Sequence, residues 1–176
     1  MLWKNQTLHK ITAPKDLLAQ KGRGATFHYT SKKIDATLWG IFAFRGDALV
    51  FLGFSETEET LRDVLKDAQA RPQWKYVQWK LQDSVPKITT LELWGTPFQL
   101  DVWHAMLGLS EKERTTYQAL AEHVGRPKAV RAVGTAVGAN TIAGYIPCHQ
   151  VLPKSGKIGG YRWGAEIKKG LLSVNA

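Results

Sequence analysis

The sequence predicts an α+β fold in which a small sheet with at least one helix precedes a mainly helical second half. Two runs of strand character, 38–44 and 48–54, flank Arg45-Gly46-Asp47, which favours a hairpin connection. After residue 96 the apolar residues recur at helical spacing, and glycines separate the helical stretches. We therefore predict a polar extension over 1–23, a supporting domain over 24–90 and a functional domain over 91–176.

The supporting domain is expected to contain a third strand and one amphipathic helix. The short aromatic run 25–29 is typical of a strand. Residues 56–69 begin with acidic side chains and continue with apolar residues at helical spacing, which favours a helix that ends before Pro72. Residues 73–95 are ambiguous, apart from a strand expected over 89–94.

Two capping patterns mark helix starts in the functional domain. Thr96 and Gln99, with Pro97 between them, form a capping box for a helix that runs to about residue 109. Thr115 and Gln118 can form a second capping box. Each pattern predicts a helix that begins at the residue after its threonine or close to it.

A helix-turn-helix arrangement follows the second capping pattern. A helix is predicted over 117–124, and Gly125 is well placed to end it. Pro127 then opens a second helix over 127–138. Helix, glycine turn and helix is the order of a DNA-binding helix-turn-helix, although many packed helix pairs share it.

The second helix of this pair is rich in small residues. It has one long cation, Arg131, which the predicted bounds place at mid-helix. Small residues suit close approach of the backbone to a narrow nucleic-acid groove with little sequence readout. They equally suit tight packing of one helix on another, and the residues alone leave both interpretations open.

The charge distribution indicates a polyanionic partner. The net charge is +9 with a pI of about 9.7. From residue 126 onward there are eight basic residues and one acidic residue, so +7 of the +9 lies in the last 51 residues. Such a bias is typical of nucleic-acid binding, and the alternative is a solvated basic face.

Composition argues against several classes of protein. No apolar run is long enough to cross a membrane and the first residues lack the pattern of a signal peptide, so we expect a cytoplasmic protein. One cysteine excludes a disulfide framework and a cysteine-rich zinc site. The five histidines, at positions 9, 28, 104, 123 and 149, form no ligand pair, so we predict no metal.

The sole cysteine lies in Pro147-Cys148-His149. A lone cysteine is more often an inert buried thiol than a nucleophile. In a tight turn after Pro147, however, the imidazole of His149 could contact the thiol directly or through water and favour the reactive thiolate. Downstream glycines over 156–164 predict a loop that approaches this site closely.

These motifs together resemble the O6-alkylguanine-DNA alkyltransferases, including the carboxyl-terminal half of the bacterial adaptive-response proteins. The resemblance is strong over 92–172 and weaker over 24–72, where the family has a ribonuclease H-like domain. It rests on the following segments: Gly95-Thr-Pro-Phe-Gln-x-x-Val-Trp103, Thr116-Tyr-Gln-x-Leu-Ala121, Gly125-Arg-Pro-Lys-Ala-Val-Arg-Ala-Val-Gly134, Asn140, Pro-Cys148-His-x-Val and Gly159-Gly-Tyr-Arg-Trp-Gly164.

The resemblance implies single-use repair of duplex DNA, in which Cys148 keeps the alkyl group of a flipped O6-alkylguanine. A winged-helix-like second domain would bind the minor groove, and we expect a monomer without a cofactor. The implied catalytic residues are Cys148, His149, Tyr117 and Asn140. The implied DNA-binding residues are Arg131, Tyr117, Ala129, Thr135, Gly134, Lys128 and Arg126. The implied substrate pocket consists of Val151, Tyr161, Arg162, Trp163, Pro147 and Val137.

Three positions depart from the family pattern. Gln150 replaces the usual arginine after Cys-His, from which we expect weaker electrostatics near DNA. Ala143 stands where the mammalian enzyme has proline, which together with Trp163 predicts a tighter pocket that disfavours large O6 substituents. Asn175 occupies the place of a glutamate that supports the histidine, which predicts slower or pH-shifted transfer.

Three alternatives remain open. A damage-binding protein of the same fold would bind without transferring, but such proteins lack the cysteine. A winged-helix regulator with an incidental or redox-sensing cysteine would leave Tyr117, Asn140 and Pro147 unexplained. A Cys–His acyl hydrolase would need oxyanion logic that the sequence does not contain.

Overall fold

The computed structural model describes residues 10–13 and 20–174, and the chain divides into two compact units, Met1–Gly95 and Thr96–Ala176. The fold is mixed α/β. The first unit contains a sheet with the strand order β1-β6-β4-β3-β2-β5 and one α-helix, α1, among its described residues. The elements are β1 Lys10–Thr12, β2 Thr26–Lys33, β3 Trp39–Arg45, β4 Ala48–Ser55, α1 Leu61–Gln69, β5 Gln78–Leu81 and β6 Thr90–Glu92.

The predicted hairpin is confirmed as the antiparallel pair β3–β4. Arg45 pairs with Ala48, and Gly46 between them has a φ of +60°, a conformation that glycine adopts without strain. The third predicted strand is also present but extends further, because β2 runs antiparallel to β3 along most of its length. The hairpin and β2 thus form the antiparallel part of the sheet.

The core of the first unit is aromatic. Phe27 on β2 is fully buried and meets Trp74, Trp79 and Trp94 edge-on, with ring centroids 5.2–5.5 Å apart. Edge-to-face pairs of this kind stabilise a core beyond the area they bury. The aromatic runs of the sequence therefore serve packing in this unit.

Helix α1 begins at Leu61, five residues later than the sequence predicted. The acidic residues at 56–59 precede the helix instead of forming its first turn. Thr57 and Thr60 explain the difference: their hydroxyls lie 3.0 Å apart, and the Thr57 hydroxyl accepts from the Thr60 amide at 3.3 Å. Side-chain bonds of this kind compete with helical backbone bonds.

Two short edge strands were not predicted. Strand β1 lies within the stretch assigned to the polar extension and pairs in parallel with β6, from Lys10–Thr90 to Thr12–Glu92. Strand β5 pairs in parallel with β2. Strands of three or four residues show too little alternation to be recognised from their own sequence, because their pairing depends on the neighbouring strand.

The second unit is mainly helical. Helix α2 packs against α3 and α4, and the indole of Trp103 on α2 donates to the Ala136 carbonyl on α4 at 2.8 Å. A small parallel pair, β7–β8, joins Thr115 to Val151. The elements are α2 Pro97–Leu107, β7 Thr115–Thr116, α3 Tyr117–His123, α4 Val130–Gly138, β8 Val151–Leu152 and α5 Ala165–Val174.

The capping box of α2 is confirmed, and the second capping box is wrong. The Gln99 amide donates to the Thr96 hydroxyl at 3.3 Å, and the Thr96 amide donates to the Gln99 side chain at 2.8 Å. Helix α3 is capped by Thr116, whose hydroxyl accepts from the Ala119 amide at 3.0 Å. Thr115 belongs to β7 instead, because pairing with β8 fixes it in an extended conformation.

The predicted glycine stop after α3 is confirmed. Gly125 has a φ of +69° and donates to the Glu122 carbonyl at 3.0 Å, while the Arg126 amide donates to the Ala121 carbonyl at 2.8 Å. These two bonds make a Schellman motif, which satisfies the last carbonyls of the helix. Helix α4 then begins at Val130, later than predicted, because 127–129 form a turn closed by the Ala129 amide on the Arg126 carbonyl.

None of the helices in the described part of the chain has the length and apolar character that crossing a bilayer requires.

Candidate active site around Cys148

Cys148 opens a 3-10 turn, Cys148–Gln150, between a buried loop and strand β8. Pro147 precedes it with φ −80° and ψ 57°, which turns the chain so that the Cys148 amide donates to the Ile146 carbonyl at 2.7 Å. The cysteine is only 6% exposed, and its sulfur lies 3.6 Å from the Tyr161 hydroxyl. The turn thus holds the sulfur against a residue of the glycine-rich loop.

Asn140 braces the loop that leads to this turn. Its side-chain amide donates to the Ile146 carbonyl at 3.0 Å, and its side-chain oxygen accepts from the Ile142 amide at 2.9 Å. A hydrogen bond from Asn140 also lowers the pKa of the Cys148 thiol. The structure therefore brings together two of the predicted catalytic residues, and Asn140 connects the end of α4 to the cysteine.

Opposing effects act on the pKa of the Cys148 thiol. Burial raises the pKa above its ordinary value, and this is the largest effect. The hydrogen bonds of Tyr161 and Asn140 and the positive charge of Lys168 lower it. The resting sulfur is therefore protonated at neutral pH, and its neighbours are placed to stabilise the thiolate when it forms.

His149 is buried beside the cysteine in a neutral form. Burial lowers the pKa of His149 to about 4, and the nearby positive charges of Arg114 and Lys168 lower it further in the same direction. A neutral imidazole has a nitrogen lone pair that can accept a proton. The histidine next to the thiol is therefore available as a base throughout the physiological pH range.

Tyr117 is the first residue of α3, directly after its capping threonine. It is half-buried, and its pKa is raised by burial and by the negative charge of a Cys148 thiolate. A tyrosine with a raised pKa keeps its proton at neutral pH and can donate it in a hydrogen bond. Gly134 of α4 lies against the ring, where an added Cβ would be 3.8 Å from the Tyr117 Cδ1 atom.

Helix α4 buries one face and exposes the other. Val133, Ala136 and Val137 are buried, whereas Arg131 and Thr135 are exposed. Tight packing therefore explains only part of the small-residue pattern. Because the helix begins at Val130, Arg131 lies in its first turn and not at mid-helix as the sequence suggested.

The exposed face of α4 continues into the turn before it. Arg126 and Lys128 are exposed and Ala129 is half-exposed. The Arg162 guanidinium donates to the Gly138 carbonyl at 3.1 Å and lies 6.0 Å from the centre of the Trp163 ring, which brings the glycine-rich loop to the end of α4. Of the remaining predicted pocket residues, Pro147 and Val151 are buried and Tyr161 is half-buried.

The family model for the DNA-binding domain of 6-O-methylguanine DNA methyltransferase matches residues 97–176, which contain every predicted site residue. Residues 97–176 belong to the 6-O-methylguanine DNA methyltransferase family. The stretch begins at the first residue of α2 and includes the turn at Cys148.

Relatives of this methyltransferase family resemble the chain over different lengths. A methylated-DNA–protein-cysteine methyltransferase of Scheffersomyces stipitis is 48% identical over 87 residues, which are 49% of this chain and 45% of that protein. The regulatory protein ada of Salmonella typhimurium is 38% identical over 124 residues, 66% of this chain and 35% of that protein. The chain thus spans less than half the length of both curated relatives.

A solved structure covers more of the chain. The crystal structure of Mycobacterium tuberculosis OGT in complex with DNA matches 85% of this chain and 92% of that chain, with a TM-score of 0.63 and 28% identity. The similarity therefore includes elements of the first unit as well as the stretch that the methyltransferase family model matches.

Gln150, which replaces the usual arginine of the methyltransferase family, faces the interior and not a DNA surface. It is 1% exposed, and its side-chain amide donates to the carbonyls of Ser110, Glu111 and Glu113 at 2.6–2.9 Å. The expectation of weaker electrostatics near DNA is therefore wrong. Gln150 ties the cysteine turn to the loop before β7, a role that depends on tertiary contacts the sequence does not show.

Lys168 of α5 is a functional candidate that the sequence interpretation missed. It is 1% exposed, and its charge acts on both Cys148 and His149. One signal was available: Lys168 lies one position after buried Ile167 and three before buried Leu171, so helical periodicity places it on the apolar face. Asn175, which replaces the glutamate of the methyltransferase family, lies outside the described residues.

Proposed function

We propose that this chain repairs O6-alkylguanine in duplex DNA by moving the alkyl group irreversibly onto Cys148. It would act as a methylated-DNA–[protein]-cysteine S-methyltransferase that is used once. The observation that carries this proposal is the placement of the single cysteine in a buried turn beside a neutral histidine and a protonated tyrosine, within a stretch that matches the methyltransferase family.

The chemistry requires a thiolate, an alkyl carbon and a leaving group that can be protonated. The Cys148 proton leaves through His149, whose imidazole is neutral. The sulfur forms a bond to the alkyl carbon while the carbon–O6 bond breaks and its electron pair stays on the guanine. Tyr117 donates a hydrogen bond or proton toward guanine N3, which stabilises the leaving guanine. The product is a thioether.

The thioether has no route of release within this chain. Hydrolysis does not cleave it under ordinary conditions, and the sequence contains no second cysteine to exchange with it. One chain should therefore repair one lesion and need neither metal nor cofactor. We propose that it does so as a monomer, because every residue assigned to the reaction belongs to one unit of one chain.

The pair α3–α4 would bind the minor groove as the helix-turn-helix of a winged-helix-like domain. The exposed first turn of α4 supports this assignment, because Arg131 there can fill the space that a flipped guanine leaves. Flipping costs a few kcal/mol and is cheapest for a base that already pairs badly. The proposed contacts to DNA are Arg126, Lys128, Ala129, Arg131, Gly134, Thr135 and Tyr117.

The flipped base would enter a pocket beside the cysteine turn. Tyr161 and Trp163 form its walls, and backbone groups of Cys148, Val151 and Arg162 read the base edge. Val137 and Pro147 complete the pocket from α4 and from the turn. Ala143, which is buried and bridges to Ile146, together with Trp163 favours small O6 substituents over benzyl-sized ones.

The first unit would support this site without contributing chemistry. We propose a ribonuclease H-like domain over 24–90, preceded by an extension over 1–23, with the DNA-binding and alkyl-acceptor domain over 91–176. The matching of 85% of the chain to the mycobacterial structure supports this arrangement.

Intact-protein mass spectrometry tests the proposed function. Incubation with a duplex containing O6-methylguanine should add one methyl-sized mass to the protein, mapped to Cys148 by peptide sequencing. The gain should be absent with unmodified duplex and with Cys148→Ala. Retarded DNA without any gain in mass would instead identify a damage-binding protein that does not transfer.

A further inference from the structure

Lys168 is a buried cation in the second unit. Its Nζ atom donates to the Val151 carbonyl at 2.9 Å, directly after the cysteine turn. Burial of an ammonium group is costly unless a partner compensates for the lost water. Among the described residues of this unit no aspartate or glutamate is buried, so the partner of this charge is not an interior carboxylate.

The surroundings of Lys168 lead to the cysteine. Its Nζ atom lies 5.8 Å from the centre of the Tyr161 ring, and the Tyr161 hydroxyl lies 3.6 Å from the Cys148 sulfur. The ammonium group is thus held over the ring whose hydroxyl faces the sulfur. Its neighbours on α5, Glu166 and Lys169, are exposed and pair with each other at 2.6 Å.

The titratable groups around the cysteine are His149, Tyr117 and Tyr161, and the second fixed charge near His149 is Arg114. Both tyrosines have raised pKa values and the pKa of His149 is lowered, so all three are neutral at neutral pH. The anion that Lys168 can stabilise in this group is therefore the Cys148 thiolate.

We propose that Lys168 is a positioning residue for Cys148: its buried ammonium, fixed by the Val151 carbonyl and the Tyr161 ring, stabilises the thiolate. The effect is reciprocal, because the thiolate raises the pKa of Lys168 while burial lowers it. The same charge disfavours an imidazolium at His149, so a proton that leaves the sulfur does not remain there. The consequence for alkyl transfer rests on the proposed function.

The pH dependence of thiol reactivity tests this role without DNA. The rate of Cys148 alkylation by iodoacetamide is measured against pH for the full chain and for Lys168→Met. We expect the midpoint to move up by about one pH unit or more, as for loss of an opposite charge within a few ångströms. At neutral pH the rate should fall about threefold per unit, since a more basic thiolate is also more nucleophilic.

Matched variants separate charge from structure. Lys169→Met removes the same charge from an exposed position on the same helix and should leave the midpoint unchanged. Lys168→Arg keeps the charge and should recover most of the wild-type midpoint. If Lys168→Met is not folded by circular dichroism, Lys168→Gln, which retains a donor for the Val151 carbonyl, takes its place.

The direction of the shift decides the outcome. Loss of charge raises the pKa of both the thiol and the His149 imidazole, and the latter is followed by NMR. Loosened packing would admit water, so the thiol pKa would fall while the imidazole pKa rose. A thiol midpoint that stays or falls in Lys168→Met overturns the proposal. Failure of wild-type protein to accept a methyl group from DNA would overturn the repair function and leave this measurement valid.

Discussion

Burial shifts the ionisable groups at the cysteine turn toward their neutral forms. It raises the pKa of the Cys148 thiol and of Tyr117 and Tyr161, and it lowers the pKa of His149 to about 4. Each shift follows from the cost of an ion in an environment of low polarity. The resting site thus holds its reactants protonated as the reaction needs them, and Lys168 supplies the one compensating charge that we assign to the thiolate.

The neutral state of His149 predicts a pH-dependent stability. Its pKa is about 4 in the folded chain and ordinarily about 6.5, so the unfolded chain binds more protons between these values. Stability is therefore complete above about pH 6.5 and is lost as the pH falls to about 4, by about 3 kcal/mol from this residue. Urea unfolding followed by circular dichroism measures the loss.

The matched control for this prediction is His149→Gln, which cannot titrate in this range. Its unfolding free energy should lack the component lost by the wild type between pH 6.5 and 4, whatever its stability at pH 7. Parallel pH profiles for the two proteins would show that His149 is not the group responsible.

At the scale of elements, the start of α3 connects secondary structure to chemistry. The Thr116 hydroxyl caps the helix by accepting from the Ala119 amide, and Tyr117 follows immediately. Thr116→Ala should therefore lower the free energy of unfolding by about 1 kcal/mol, the usual cost of losing a threonine cap. Thermal and urea unfolding measure this difference.

Thr115→Ala is the natural control, because the two threonines are adjacent and chemically identical. Thr115 pairs in β7 through its backbone, so this variant should change stability by no more than about 0.5 kcal/mol. Equal losses in the two variants would mean that the Thr116 cap has no special energetic role.

Local signals predicted the parts of the fold that depend on a few neighbouring residues. The capping box at Thr96, the hairpin glycine Gly46 and the glycine stop at Gly125 are each determined by the backbone conformation at that point. The first turn of α1 was wrong because hydroxyl bonds of Thr57 and Thr60 compete with the helix.

The candidate site was only partly predictable for a different reason. Cys148, His149 and Asn140 stand in a recognisable motif, so the sequence placed them correctly in one turn and the loop before it. Gln150 and Lys168 act through carbonyls that are distant along the chain, 37–40 and 17 residues away. Partners at such separations come together only through packing, and a polar residue alone does not reveal them.

At the scale of the whole molecule, the positive charge is unevenly distributed. The last 51 residues carry +7 of the net +9, and Arg126, Lys128 and Arg131 among them are exposed near the start of α4. Charge of this kind strengthens binding to any duplex in a salt-dependent way and does not by itself select a lesion. Selection must then come from flipping and from the pocket, which assigns Arg126 and Arg131 different tasks.

Substitution of Arg131 separates those tasks. If Arg131 fills the space left by the flipped guanine, Arg131→Ala should slow methyl transfer from duplex DNA by tenfold or more, equivalent to about 1.4 kcal/mol of the flipping cost. Transfer from free O6-methylguanine base, which needs no flipping, should change much less. Both rates are read as mass gain on Cys148 over time.

Arg126→Ala removes an equal charge from the same exposed surface and is the matched control. It should weaken duplex binding and reduce its salt dependence, while transfer at saturating DNA stays close to the wild-type rate. Equal slowing of Arg131→Ala on duplex and free base would place Arg131 in the reaction itself or in the fold. Equal effects of the two arginine variants at saturating DNA would reduce both to phosphate contacts, because a side chain that replaces a flipped base must act after binding.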